Sequence, residues 1–377
     1  MTTTDLAAGT ATTAVDLQII DSDVHPYMPE GLATLVPYMS KAWQARIGGG
    51  LGKGHGVASQ FHLPLDILYI NSAGGMRGDT STEGMAPATD PEFTAKQLLD
   101  GGGIHRAILL SGHLLGIGTM PDPMVAATIA SAYNDWMCEH WLEFDERYRG
   151  GLVIAPQDPE LAVKEIDRMA DRPGIVEIFM PLHDILMGEK HYYPIYEAAQ
   201  RHGLPICVHP SGTENVYARA PRMAGTPTYY IEWHALLGQI HQANTASLLC
   251  HGVFERFPEL KVVIAEGGIA WIAELCWKLD NDWNGLRDEI PWVKKHPSAY
   301  LNSNMRFTTQ PFVEAPNKKQ LLALMDMVNA EQVLMFSSDY PHWNYNDPSN
   351  TLAGLPDELQ RQIMVGNPRA FYGERLG

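Results

Sequence analysis

The chain is poor in positive charge and has no apolar run long enough to cross a membrane. It carries 27 Lys and Arg residues against 44 Asp and Glu residues, a formal net charge of −17. Because such a field repels nucleic acid and anionic membranes, we expect neither as a partner. A bilayer span needs about 20 apolar residues in succession, and no segment approaches this. The first residues lack the basic and apolar segments of a signal peptide, so we expect a cytoplasmic protein.

Cysteines are few, and the motifs of phosphate loops and serine nucleophiles are missing. The four cysteines lie far apart and form no CxxC pair, which favours buried free thiols. The glycine clusters at residues 48–56 and 73–78 lack the Lys-Ser/Thr ending of a phosphate loop. Ser337-Ser338 has no nucleophile-elbow pattern, so we do not expect serine catalysis.

The chain alternates short β-branched runs with helical stretches. Of its 377 residues, 45% are hydrophobic and 19% are charged, which is typical of a globular protein with a large core. Strands are predicted at residues 17–23, 105–111, 151–155, 174–180, 204–209, 248–251 or 261–266, 301–307 and 333–338. Helices are predicted at residues 124–148, 159–170 and 192–202. About eight such units indicate an α/β (β/α)8 TIM barrel. An open doubly wound sheet is the alternative, but no glycine fingerprint follows the first strand.

We expect a flexible tail at residues 1–16 and a single domain at residues 17–377. A long insertion after strand 1, approximately residues 47–90, has little periodicity and would cover the mouth of the barrel as a lid.

The segment Asp21-Ser22-Asp23-Val24-His25 ends the first predicted strand. Alternate residues of a strand share a face, so Asp21, Asp23 and His25 would project together. Burying such charge favours a bound divalent cation, although short Asp/His clusters also occur in surface turns.

Two further strand ends carry similar side chains. His209 ends the run Ile206-Cys207-Val208, and Asp339 follows the last strand. The C-terminal ends of barrel strands meet at one mouth, so Asp23, His25, His209 and Asp339 would give one cation two imidazoles and two carboxylates. This mixture suits Zn²⁺, Mn²⁺ or Fe²⁺ better than Ca²⁺ or Mg²⁺.

Four motifs carry a family resemblance. Asp-Ser-Asp-Val-His-Pro (21–26), Cys-Val-His-Pro (207–210), the run from 253 to 268 ending in Ile-Ala-Glu-Gly-Gly, and Phe-Ser-Ser-Asp-Tyr-Pro-His-Trp (336–343) resemble the amidohydrolase superfamily. The branch is the one that includes aminocarboxymuconate semialdehyde decarboxylase and the resorcylate-type decarboxylases. The match runs in order from about residue 19 to Gly-Asn-Pro-Arg-Ala-Phe-Tyr-Gly (366–373). The resemblance implies a metal-bearing barrel, often dimeric, with ligands at Asp23, His25, His209 and Asp339.

Two positions depart from the family pattern. Asp23 stands where the family commonly has the first histidine of His-x-His, and Glu266 stands where the decarboxylases commonly have a sixth-strand histidine. Glu266 is then an acid/base, an extra ligand, or a partner that orients His25 or His209. His251 is either a replacement for the missing imidazole or a structural histidine.

Other candidates have two readings each. Asp21 would either hydrogen-bond the backbone or a ligand histidine, or bind the metal itself. His342 and Trp343 are substrate contacts or packed residues, and Arg306 and Arg77 would hold a substrate carboxylate or pair with acidic residues.

The resemblance implies a metal-dependent enzyme acting on a small molecule. We predict a zinc-dependent decarboxylase of an aromatic or conjugated acid that needs one divalent ion. The alternatives are a hydrolase of an amide, lactone or C–C bond, in which Asp339 or Glu266 takes a proton from water, a hydratase, and a barrel that only binds ligand.

Overall fold

Eight parallel strands form a ring in the order of the chain. The computed structural model describes residues 17–51, 75–82, 85–210, 229–312 and 315–377. The strands are β1 Ile19–Val24, β2 Ile104–Leu109, β3 Tyr148–Val153, β4 Ile175–Phe179, β5 Ile206–Val208, β6 Val262–Ile264, β7 Met305–Thr308 and β8 Leu334–Met335. Each strand pairs in parallel with the next. Ser22 N donates to the carbonyl oxygen of Phe336 at 3.0 Å, which joins the end of β8 to β1. The predicted (β/α)8 barrel is confirmed.

Helices connect the strands. The described α-helices are Lys41–Ile47, Pro91–Thr94, Pro123–Met137, Pro159–Met169, Tyr193–His202, Tyr230–His234, Leu237–Cys250, Val253–Arg256, Ala270–Leu286, Pro297–Asn304, Lys318–Met327, Ala330–Val333, Asp357–Arg361 and Asn367–Tyr372. Shorter 3-10 and π-helical turns lie at Gly31–Tyr38, Gly48–Gly50, Ala95–Asp100, Ile117–Thr119, Cys138–Leu142, Lys190–Tyr192, Arg287–Glu289, Gln362–Gly366 and Gly373–Leu376. Among these described helices, none has both the length and the apolar character needed to cross a bilayer.

Three helices begin at an Asp-Pro pair. Asp90, Asp122 and Asp158 each precede a proline at the first helical position, and each carboxylate accepts hydrogen bonds from two backbone N–H groups of the first turn. The caps satisfy donors that the helix itself leaves unpaired, and proline has no N–H to satisfy there. Gly203 ends the helix Tyr193–His202 in the left-handed region at φ 61°, as the Gly at this position predicts.

Two predicted elements need correction, and the choice left open for the sixth strand is decided in favour of residues 261–266. Residues 248–251 end a helix, and the sixth strand is Val262–Ile264. The prediction for residues 301–307 merged the end of the helix Pro297–Asn304 with β7, and the long helix predicted at 124–148 ends in a π-helical turn at Cys138–Leu142. Strands of two to four residues carry too little periodicity to mark their own ends.

Much of the predicted lid lies outside the described residues. The same is true of the predicted tail at residues 1–16 and of residues 211–228 after β5. The tail, the lid and the single-domain assignment therefore stay predictions. Within the described part, residues 75–77 reach the turn after β8, because Arg77 N donates to the carbonyl oxygen of Pro341 at 2.9 Å and Trp343 N donates to that of Gly75 at 2.8 Å.

Candidate metal centre

The first strand delivers acidic and imidazole side chains into the barrel. All six residues of β1 are buried, and Asp21, Asp23 and His25 have no exposed surface. The backbone at this point is held from β8, since Asp339 N donates to the carbonyl oxygen of Asp23 and His25 N donates to that of Tyr340. The two strand ends are therefore fixed against each other.

Four side chains converge at the C-terminal mouth of the barrel. Asp23, His25, His209 and Asp339 are all fully buried, and each offers one ligand atom within 4.8 Å of the others. His25 Nε2 lies 3.2 Å from Asp23 Oδ1 and 3.1 Å from Asp339 Oδ1, and His209 Nε2 lies 3.5 Å from Asp23 Oδ2. Ligand atoms bound at about 2.1 Å to one ion stand about 3 to 3.5 Å apart, so the spacing suits a common cation.

Backbone carbonyls set the orientation of both imidazoles. His25 Nδ1 lies 3.1 Å from the carbonyl oxygen of Leu110, and His209 Nδ1 lies 2.6 Å from that of Pro210. A carbonyl only accepts, so each Nδ1 carries a proton and each Nε2 faces the carboxylates, where the neutral form of the ring would offer a lone pair to a metal ion. Among the described residues neither Nε2 has a hydrogen-bond partner, nor does either oxygen of Asp23. Buried atoms of this kind fit a divalent metal ion.

The charges around the centre favour a cation. Burial lowers the pKa of His209, but the carboxylates of Asp23 and Glu266 outweigh it and raise that pKa to about 10. Burial raises the pKa of Asp339, but His342 and His25 bring it below its ordinary value. Without a metal ion, a proton on His209 thus supplies the positive charge beside these carboxylates. A divalent ion bound there would supply that charge instead.

Glu266 lies beside the group formed by Asp23, His25, His209 and Asp339 and is not one of its four members. Its Oε2 is 3.3 Å from His209 Nε2, it is 6% exposed, and Thr308 Oγ1 accepts a hydrogen bond from its backbone N–H. Both Glu266 and Asp339 adopt the left-handed backbone region, at φ 48° and φ 59°. Such conformations are costly for residues other than glycine, and in proteins they cluster at functional sites.

Asp21 lies two residues before Asp23 on β1. Its Oδ1 accepts hydrogen bonds from the backbone N–H groups of Ser338 at 2.9 Å and Asp23 at 3.3 Å. Burial raises the pKa of this carboxyl group to about 7, although these hydrogen bonds lower it. Asp21 therefore ties β1 to the segment after β8 through the backbone, and none of its hydrogen bonds in the described part of the chain reaches a ligand histidine.

Two predicted site residues belong to other parts of the molecule. Arg306 is the second residue of β7, and its guanidinium donates to the carbonyl oxygens of Asn302 and Met305 and packs on the ring of Phe371. The start of a barrel strand faces away from the mouth, so the predicted grip on a substrate carboxylate is wrong. His251 follows the helix Leu237–Cys250, which returns the chain to the end of the barrel opposite the mouth. Its side chain is 43% exposed, and its Nε2 lies 3.9 Å from Glu189 Oε1. His251 therefore does not replace an imidazole at the four-residue group.

Arg77 and Trp343 lie near the mouth in different settings. Arg77 forms a bidentate pair with Asp79, at 3.0 and 2.7 Å, and stacks over the ring of Tyr345. Its charge is thus already paired. Trp343 is 48% exposed, and its Nε1 donates to the hydroxyl of Tyr230 at 3.3 Å.

A small cavity of about 20 Å³ lies between Glu266 and three aromatic side chains, Tyr230, Trp233 and Trp343, which we call the aromatic rim. Its lining residues in the described part of the chain are Gly75, Leu115, Pro210, Tyr230, Trp233, Glu266, His342, Trp343 and Asn344. This volume holds about one water molecule. A larger ligand needs the side chains of the rim, including the exposed Trp343, to move apart.

Apart from Trp343, the sequence patterns do not identify the aromatic residues of this region. Tyr27 continues the alternation of Asp21, Asp23 and His25, and its hydroxyl lies 3.1 Å from His342 Nε2. The period of two was a usable signal for Tyr27. Tyr230 and Trp233 lie on a five-residue helix that no sequence pattern marked.

Known proteins resemble this chain over more than half of its length. A family model described as Amidohydrolase matches residues 112–373. The γ-resorcylate decarboxylase of Polaromonas sp. (strain JS666 / ATCC BAA-500) is 24% identical over 343 residues, which cover 84% of this chain and 98% of that protein. The 2-amino-3-carboxymuconate-6-semialdehyde decarboxylase of Dictyostelium discoideum is 23% identical over 59% of each chain.

The fold has counterparts among solved structures. One is the 5-carboxyvanillate decarboxylase of Novosphingobium aromaticivorans DSM 12444, complexed with manganese and 4-hydroxy-3-methoxy-5-nitrobenzoic acid. It superposes with a TM-score of 0.65 at 19% identity and covers 99% of both chains. At this level of identity the likeness establishes a shared fold.

Proposed function

This chain belongs to the amidohydrolase family, and from that premise we propose that it is a metal-dependent decarboxylase of a small aromatic or conjugated carboxylic acid. The observation that carries the proposal is the buried group of Asp23, His25, His209 and Asp339 beneath an aromatic rim. Similarity to the γ-resorcylate decarboxylase over 84% of this chain supports the choice of reaction.

We propose zinc as the metal, because two imidazoles and two carboxylates form a donor set that zinc accepts. Manganese is the alternative, since the compared 5-carboxyvanillate decarboxylase structure contains it. When bound by these four residues, the ion would supply positive charge for the substrate carboxylate and a neighbouring oxygen. The cytoplasmic location and the homodimer stay predictions.

The protein's own residues bind the ring and move one proton. Tyr230, Trp233 and Trp343 provide aromatic surface for a flat ring. Glu266 faces the same cavity, and in its protonated form its carboxyl group gives a proton to the ring carbon that carries the carboxylate. The new C–H bond takes an electron pair from the π system of the ring, the bond from that carbon to the carboxylate then breaks, its electron pair returns to the ring, and CO₂ leaves. Glu266 then regains a proton from water.

Hydrolysis is a second candidate, and one observation favours it. The side chain of Glu266 is a carboxylate where the decarboxylase branch commonly has an imidazole, and it lies 3.3 Å from His209 Nε2. A carboxylate at this position can act as a base that takes a proton from water. The resulting hydroxide would then attack a carbonyl group of the substrate.

The test combines metal analysis with product identification. Purified protein is loaded with Zn²⁺ or Mn²⁺ and incubated separately with γ-resorcylate, 5-carboxyvanillate, a series of other hydroxybenzoic acids, lactones and amides. We expect loss of CO₂ from at least one aromatic acid and no reaction with Asp339→Asn. Products that have gained water, with no loss of CO₂, would contradict decarboxylation and favour hydrolysis. Failure of the wild-type protein to bind either metal would contradict both.

A further inference from the structure

Tyr27, His342 and Asp339 form a hydrogen-bonded chain behind the metal centre. His342 Nδ1 lies 2.5 Å from Asp339 Oδ1, and Tyr27 Oη lies 3.1 Å from His342 Nε2. Tyr27 is 4% exposed and His342 is 8% exposed. The chain is thus almost completely shielded from water, which strengthens its hydrogen bonds.

The donors in this chain have a definite direction. A carboxylate only accepts, so His342 Nδ1–H donates to Asp339, and the remaining nitrogen of a neutral ring, Nε2, accepts from the hydroxyl of Tyr27. His342 therefore engages Oδ1 of Asp339, while Oδ2 has no hydrogen-bond partner in the described part of the chain. The plane of the Asp339 carboxylate is set by His342, and the plane of the His342 ring is set by Tyr27.

The backbone holds the histidine where this contact requires it. His342 N donates to the carbonyl oxygen of Asp339 at 2.8 Å, which closes a tight turn, and His342 forms an isolated β-bridge with Met76. Its ring also packs on that of His25, with centroids 4.7 Å apart. His342 thus contacts two members of the four-residue group at once.

We propose that Tyr27 and His342 are positioning residues that orient the Asp339 carboxylate for the metal ion. The inference rests on the metal centre of the proposed function. The contribution of Tyr27 to the orientation of Asp339 passes through His342, so it disappears when His342 is absent. Partners that orient a metal ligand in this way typically change metal affinity about 10- to 100-fold.

The experiment measures Mn²⁺ affinity by competition with a fluorescent chelator, and the absorption spectrum of the Co²⁺-loaded protein. The variants are Tyr27→Phe, His342→Ala, His342→Asn and the double variant Tyr27→Phe/His342→Ala. Tyr196→Phe is the matched control, because it also removes a buried tyrosine hydroxyl that is hydrogen-bonded, here to the carbonyl oxygen of Met187 at 2.6 Å. Neither readout depends on turnover.

We expect His342→Ala to weaken Mn²⁺ binding about 10- to 100-fold and Tyr27→Phe to weaken it less, each with an altered Co²⁺ spectrum. His342→Asn should recover part of the affinity, since its amide can still donate toward Asp339. The double variant should equal His342→Ala. Tyr196→Phe should match the wild type.

If the wild type binds Mn²⁺ and Tyr27→Phe binds it as tightly as Tyr196→Phe does, the inference is overturned. The proposed function stays intact in that case. Additive effects in the double variant would also overturn it. A wild-type protein that binds no divalent metal would overturn both. If His342→Ala does not fold, Tyr27→Phe decides alone, because it removes a single oxygen atom.

Discussion

Glu177 accepts a hydrogen bond from the hydroxyl of Tyr372, at 2.8 Å, inside the closed barrel. Glu177 comes from the middle of β4 and is fully buried, and Tyr372 ends the helix Asn367–Tyr372. Burial raises the pKa of Glu177 to about 8, with a smaller contribution from the charge of Asp23, while the Tyr372 hydrogen bond lowers it. The barrel thus keeps a neutral acid in its interior.

This carboxyl group makes stability depend on pH. The pKa of Glu177 is higher in the folded protein, about 8, than its ordinary value of 4.5. Its stabilising contribution is therefore complete below pH 4.5 and is lost as the pH rises to about 8, at about 1.4 kcal/mol for each unit of pKa difference. We expect Glu177→Gln to unfold with a weaker pH dependence and to exceed the wild type in stability at pH 8.5.

Denaturant unfolding at pH 5, 7 and 8.5, in the presence of a chelator, measures this effect. Glu197→Gln is the matched control, because Glu197 is exposed on a helix and should leave the wild-type slope unchanged. Parallel stability curves for Glu177→Gln and the wild type would contradict the prediction.

Loss of a metal ligand should remove the stabilisation that metal provides. A ligand that binds only the folded state, at 100 times its Kd, stabilises it by about 2.7 kcal/mol. We expect Mn²⁺ or Zn²⁺ to raise the Tm of the wild type and to have little effect on Asp23→Asn, whose amide oxygen is a weaker ligand. Thermal unfolding with and without metal tests this. An equal rise in both proteins would remove Asp23 from the ligand set.

Glu266→Gln separates proton transfer from metal binding. The change keeps the size of the side chain and removes its acid. If Glu266 delivers the proton, we expect kcat to fall about 10²- to 10⁴-fold while the metal content stays near that of the wild type. His251→Ala, a surface change at the far end of the barrel, should leave kcat and KM unchanged. A metal content that falls together with kcat would instead make Glu266 a ligand.

Arg306 should matter for stability and not for substrate. Its guanidinium donates to two carbonyl oxygens and packs on Phe371, so Arg306→Leu leaves acceptors unpaired and should cost about 1–3 kcal/mol in the free energy of unfolding. The exposed Arg361→Leu serves as the control. A rise in KM for Arg306→Leu, without loss of stability, would restore the role in substrate binding.

The convergence of the four candidate ligands could be predicted because their chemistry coincides with simple local patterns. Asp23 and His25 follow the period of a strand, and His209 and Asp339 follow apolar runs, so their convergence needs only the rule that strand ends meet at one mouth. The placement of Arg306, and the alternative that placed His251 on a strand, are wrong for a local reason: residues 301–307 and 248–251 both include the end of a helix. A residue at the far end of the barrel was therefore assigned to the mouth.

The contact of Tyr27 with His342 could not be predicted from sequence. The two residues are 315 positions apart, and neither the alternation in β1 nor the turn after β8 specifies which side chain faces the other. The same holds for Tyr230 and Trp233, whose short helix is placed by tertiary packing on residues such as Trp343 and not by its own propensity.

The left-handed backbone at Glu266 has a consequence for evolution in the laboratory. Holding a residue with a Cβ atom at φ 48° costs about 1 kcal/mol or more, and glycine adopts this conformation without that cost. Selection for thermal tolerance alone should thus enrich glycine or asparagine at position 266. Such a screen would yield more stable proteins that have lost the carboxyl group of Glu266, so stability and turnover must be selected together in this barrel.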